Sequence, residues 1–418
     1  MAFASQVLAA NPHEILRRGL ESGQAATAAA AVAPMAETSA DARLALGFAR
    51  FVVAVEHLGQ GLYRHGLKTP SNPFLPILRL PLPTNLAPEP LDYHKLRAIY
   101  QRFLDDLAEA RKSLLATDGA EGKLVLDLFA IRFNLTAAAD TSASMSLNDF
   151  LGQLQARQRP LPARPAAVPD QPQGIPGAEQ ASPPQTWEVA FDRADALWLA
   201  GYTHMLSAMM EFIMAHDWQN TYDATGHLFF AGAKPSFTQI DPSEDATALG
   251  MVPYRDGTGL ADQIALLHLI HWPAGDKVRM RAVREHIKAV VALSRDTWKA
   301  VLAETDDDRE WLPSPRQQSR AVTAMQITDE TLVSWHKLLD QLDAILDGRL
   351  LVGHWRFSKG IDMRAFFEEP QPFDLVLFLT GHGAEPFLRD GPVIGMTWWQ
   401  LWNRSFSNNF LGYLFYFN

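Results

Sequence analysis

The 418-residue sequence contains no cysteine. That excludes disulfides, thiolate metal sites, iron–sulfur clusters and cysteine nucleophiles together. No uncharged apolar run approaches the roughly 18 residues that a membrane-spanning helix needs. Basic residues are in the minority, with 37 Lys and Arg against 47 Asp and Glu and a net charge of -10. A nucleic-acid binder would instead carry a basic footprint. The common catalytic signatures are missing as well: there is no GxSxG elbow and no HExxH pair. Gly119-Ala-Glu-Gly122-Lys123 is too short to cradle phosphates, and Gly59-Gln-Gly61 lies within a helical pattern rather than after a strand. Asp256-Gly257-Thr258-Gly259 reads as an Asx-type turn leading into a helix.

What remains is a chain of globular composition, 47% hydrophobic and 20% charged, long enough to suggest two folded units. Residues 1–40 read as a flexible, Ala-rich N-terminal segment. Val7-Leu8-Ala9-Ala10 resembles the small-residue end of an export signal, so a periplasmic or otherwise exported location and an ordinary cytoplasmic terminus both stay open. Apolar residues at helical spacing predict helices over Asp41–His65 and Asp92–Ala116, a shorter one over Glu121–Arg132 and a fourth over Ser146–Gln155. These form an N-terminal helical domain, 41–154. Eight prolines between Pro160 and Pro184, with almost no large apolar side chains, make 155–186 a Pro-rich linker or long loop.

The remaining unit, 187–418, begins with a helix over Asp192–Trp218 that is apolar on nearly every face. Helices over Thr258–Trp272, Lys277–Ala303 and Thr328–Asp347 follow. Leu350–Val352 and Phe373–Thr380 read as short strands. Met396–Asn418 holds nine aromatic residues. The fold class is therefore mainly α: two helical bundle-like units with a small β or irregular C-terminal cap.

Candidate chemistry lies in the second unit. His204 and Glu211 share one stripe of the Asp192 helix with Gly201, Ala208 and Ala215, whose small side chains let a neighbouring element approach. A buried carboxylate there needs a partner. His268 and His271, three residues apart, would share a helical face and suit a divalent transition metal. Together the four residues make a candidate metal site, although the Glu-x-x-His pairs of a bundle metal centre are absent. Glu304–Glu310 packs five acids into seven residues. Trp311 and Gln317 stand where a calcium loop needs glycine and glutamate, so the run reads as a solvated exit loop or a pairing surface for Arg316 and Arg320. The C-terminal aromatics read first as core. Trp398, Trp399 and Trp402 are the candidates for a ligand- or partner-binding face.

The stretches ARFVVAVEHLGQGLYRHGL (49–67), HLFF (227–230), LAETDDDREWLPSPRQ (302–317), PFDLVLF (372–378) and LGYLFYFN (411–418) resemble a family of uncharacterised bacterial helical proteins, many of them exported. The resemblance implies a helical fold and envelope association, and no particular activity. Some relatives carry an EF-hand-like calcium loop where this chain reads Arg132-Phe133-Asn134-Leu135-Thr136-Ala137, with Asn134 and Thr136 in place of acids and the glycine gone. The leading expectation is a non-catalytic exported protein that binds a protein partner or small ligand between helical layers, with no cofactor, no nucleic acid and no transmembrane segment. The alternative is a metal-dependent, hydrolase-like enzyme built on His204, Glu211, His268 and His271.

Overall fold

The computed structural model describes residues 11–68, 80, 82–138, 144–149, 152, 186–234, 260–319, 321, 327–395 and 398–418. Helices dominate. They are α1 (Pro12–Glu21), α2 (Ala25–Val32), α3 (Ala40–Arg64) and α4 (Tyr93–Leu114), then α5 (Arg193–Ala215), α6 (Gln219–Phe229), α7 (Leu260–Leu269) and α8 (Lys277–Ala303). α9 (Asp329–Leu346), α10 (Met363–Glu368), α11 (Leu375–Thr380), α12 (Trp398–Ser405) and α13 (Phe410–Phe417) follow. Their starts follow from capping side chains that accept backbone N–H groups left free in the first turn. Ser39 caps α3, Asp92 caps α4, and Thr328 caps α9. Asp192 and Asp195 form a reciprocal capping box at α5. Gly348, at φ 71°, closes α9 in the left-handed conformation that glycine adopts without steric cost.

α3 packs on α4, α4 on α5, and α5 most extensively on α8. The boundary expected at 155–186 does not separate two cores. Strand β1 (Leu124–Asp127) pairs antiparallel with β4 (Glu188–Phe191), from Leu124↔Phe191 to Asp127↔Glu188. One apolar cluster runs from Leu16 through Phe48 and Leu126 to Val189 and Leu199. A second joins Leu58, Leu96 and Leu107 to Met210, Trp218 and Phe230. The linker residues 155–185 themselves lie outside the described residues.

Several expectations are corrected. The segment read as flexible folds from Asn11 onward: α1 and α2 bury Leu16, Leu20, Ala25 and Val32 against α3, because alanine lets short helices approach closely. The helix expected over Glu121–Arg132 is instead β1, a turn and the start of β2 (Arg132–Phe133), which pairs with β3 (Met145–Ser146). Ser146 ends that strand, and the expected helix starts one residue later: residues 147–149 are helical, with the Ser146 hydroxyl accepting the Asp149 N–H at 3.1 Å. Of Phe373–Thr380 only β8 (Phe373–Asp374) is extended. Asp374 then accepts the Leu377 N–H at 2.7 Å and caps α11. The helix expected to reach Trp272 stops at Leu269, and His271–Trp272 form β5, paired with β8. The C-terminal cap does contain a small sheet, β10 (Val393–Ile394), β6 (Leu351–Gly353), β7 (Gly360–Ile361) and β9 (Leu388–Arg389) in that order.

Candidate functional site

An interhelical cavity of about 1160 Å³ has walls that are almost wholly apolar. α5 supplies Met205, Met209 and Phe212; α8 supplies Val283, Ile287 and Val290; α9 supplies Trp335 and Leu339. α6 closes one side with Tyr222 and Phe229, and Leu266 of α7, Ile270 just beyond it and Phe378 of α11 cover another. The cavity lies where three apolar clusters meet without merging, since Phe230, Trp335 and Phe366 each belong to a different one. α5 is apolar all round for the same reason. One face meets α4, one meets α8, and a third lines this space.

The few polar groups on the wall are mostly satisfied internally. Thr221 donates to the Leu269 carbonyl at 2.7 Å, Thr225 to the Thr221 carbonyl at 2.6 Å, and the Tyr222 hydroxyl to the Leu91 carbonyl at 2.9 Å. Tyr100 is one exception. It is buried, its hydroxyl has no hydrogen-bond partner among the described residues, and burial pushes its ionisation well above the usual tyrosine range. Asn418 also lines the wall, and its Oδ1 has no hydrogen-bond partner among the described residues.

The residues singled out from sequence are not gathered into one site. His204 meets His286 of α8, Nδ1 to Nδ1 at 2.7 Å. Burial first, and then the Arg111 guanidinium, hold both imidazoles down, to about 3 for His204 and about 4 for His286. Glu211 does have a charged partner, Arg279, at 2.7 Å, and Arg279 also donates to the Gln101 side chain. His268 is exposed in the last turn of α7. His271 lies beyond that helix, on β5, with its Nδ1 2.8 Å from Asp374. The shared helical face therefore does not exist, because the helix ends between the two histidines. Among the described residues, no group of three or more His, Asp or Glu is arranged to hold a metal ion. Trp402 is 4% exposed and stacks with Phe406 inside the aromatic core, so it offers no binding face. The side chains of Trp398 and Trp399 lie outside the described residues.

The acidic run after α8 is built differently from either expectation. It wraps Lys123, whose ammonium contacts Asp306 and lies 3.1 Å from the buried Glu310. Asp307 accepts the N–H groups of Gln318 and Ser319, while Arg316 donates to the Leu302 carbonyl rather than to an acid. Arg320 lies outside the described residues. Burial raises Glu304 to about 8, with Asp192 adding to the shift, and it also raises the fully buried Asp195. In the loop over residues 132–138, Asn134 closes the turn itself. Its side chain bonds both the N–H and the C=O of Ala138, and its own N–H donates to Glu56.

Compared with protein-family models, curated proteins and solved structures, the chain has no significant match in any of the three. The cavity is thus the feature from which a function is argued. It was foreshadowed in the sequence only by the unbroken apolarity of α5. No motif marks it, because its wall is assembled from elements between Leu96 and Asn418.

Proposed function

We propose that the protein binds a long-chain apolar ligand, an acyl or isoprenoid hydrocarbon, between its helical layers. The observation that carries this reading is the size and chemistry of the cavity. Its volume of about 1160 Å³ lies just above the roughly 300–1,000 Å³ of ordinary ligand pockets. Apolar space left unfilled costs roughly 24 cal/mol per Å³. Even a tenth of this volume would then cost about 3 kcal/mol, a large part of the roughly 5–15 kcal/mol by which domains are stable. A wall with almost no polar atoms favours hydrocarbon over sugar or nucleotide. Tyr100 is placed to donate a hydrogen bond to a carbonyl or ether oxygen of the ligand. No described residue of the wall is arranged for acid–base or nucleophilic chemistry, and binding is favoured over turnover.

The test is direct titration with a fluorescent long-chain acyl probe after the protein has been stripped of lipid. One probe per chain is expected. Ala208→Phe, which adds a ring at the α5 wall, should shorten the longest chain accepted. Absence of binding by the folded wild-type protein up to the probe's solubility limit would reject the reading.

A further inference from the structure

The flap that covers one side of the cavity has a second apolar face. β5 and β8 pair at His271↔Asp374 and Trp272↔Phe373, and Leu375 N–H donates to the Ile270 carbonyl at 3.0 Å. This ladder sets α7 and α11 side by side. Leu266, Ile270 and Phe378 face the cavity. Away from it, Ile264 is 50% exposed, Leu377 42% and Leu379 59%. α11, of sequence LVLFLT, has no buried side chain at all. A six-residue helix without a charge has no reason to form at a surface unless something apolar covers it.

The rim of this patch has an amphipathic character. Trp355 is 61% exposed, and its Nε1–H donates to the Leu379 carbonyl at 3.1 Å, which fixes it beside α11. The Arg356 guanidinium stacks 4.3 Å from the Trp355 ring and has no acidic partner among the described residues. Asp374, a carboxylate of the flap, is taken up by His271 and by the cap of α11. The patch is therefore aliphatic at its centre, with an indole and a free cation at its edge. That order matches the interfacial layer of a lipid bilayer, where apolar side chains enter the acyl boundary, tryptophan sits at headgroup depth and cations meet anionic headgroups.

We infer that the α7–α11 flap, with Trp355 and Arg356, is a docking surface for an anionic membrane, through which the cavity exchanges its hydrocarbon ligand. This rests on the apolar-ligand reading of the cavity. Leu267 supplies the continuity, being exposed on the patch and also part of the cavity wall. A ligand with almost no aqueous solubility must enter from an apolar phase, and the flap is the one place where wall and exposed apolar face coincide among the described residues.

The experiment is co-sedimentation of the full chain with vesicles of phosphatidylcholine, with and without phosphatidylglycerol, beside acyl-probe binding in vesicle-free solution. Wild type should sediment with the anionic vesicles and far less with the neutral ones. Leu377→Asp/Leu379→Asp changes only exposed side chains. It should weaken sedimentation by on the order of ten-fold or more, while the melting temperature and vesicle-free probe binding stay at wild-type values. Arg356→Gln should narrow the difference between the two vesicle types. If wild type remains in the supernatant with both vesicles, the docking surface is rejected, and intact probe binding would leave the cavity reading standing. If the double variant sediments as wild type does, or instead loses self-association on gel filtration, the patch serves a protein contact and the inference also fails.

Discussion

Glu304 follows the last turn of α8, where the helix carbonyls oppose a negative charge, and Asp192 and Glu310 add to the opposition. Its folded value of about 8 lies above the ordinary 4.5. The native state therefore holds a proton that the unfolded chain releases, and this contribution to stability is lost as the pH rises through that window. Glu304→Gln should accordingly raise the melting temperature most above pH 8 and little near about pH 5. An equal gain at both would show that the carboxyl is not held neutral. The His204–His286 pair has the opposite sign. With folded values of about 3 and 4 against an ordinary 6.5, it supports the fold above 6.5 and withdraws support as the pH falls toward 3. At this scale the need was legible and the partner was not. A carboxylate on an apolar stripe must be neutralised, but Arg279 lies 68 residues from Glu211, and His286 lies 82 from His204.

Helix starts were legible because a cap is a local bargain between one side chain and the next turn. Asp92, Asp192 and Thr328 all act where spacing placed them. Short apolar runs were not legible. Leu-Val-Leu-Asp is a strand only because Glu188–Phe191 returns beside it. Leu375–Thr380 is a helix although β-branched and bulky residues favour a strand, and its one local clue was Asp374 as a cap. The C-terminal aromatics divide by face. Phe417 is fully buried, its ring 4.6 Å from Trp298 and 5.2 Å from Trp335, whereas Phe415 on the same helix is 51% exposed. Phe417→Ala should cost about 3–5 kcal/mol in denaturant unfolding, and Phe415→Ala no more than about 0.5 kcal/mol. Equal costs would contradict this packing of α13.

At the scale of the molecule, the β1–β4 ladder and the α4–α5 contact tie the two sides of 155–186 into common cores. A protease site inserted between Asp170 and Gln171 tests this. After cleavage the two fragments should co-elute on gel filtration, because the apolar surface between them far exceeds what one covalent link contributes. Elution as separate folded species would restore the two-domain division.

Composition and periodicity by themselves determined the mainly α class, most of the long helices and their caps, and the absence of thiol chemistry. These depend on neighbours within a turn or two of chain, or on counts. Only the tertiary structure decided that the two halves share cores, that His204, Glu211 and His271 have separate partners while His268 stays exposed, and that three apolar clusters stop short of one another to leave a cavity. Each of those outcomes is a contact between residues far apart in sequence, and helical spacing shows which face is apolar without saying what, if anything, will cover it.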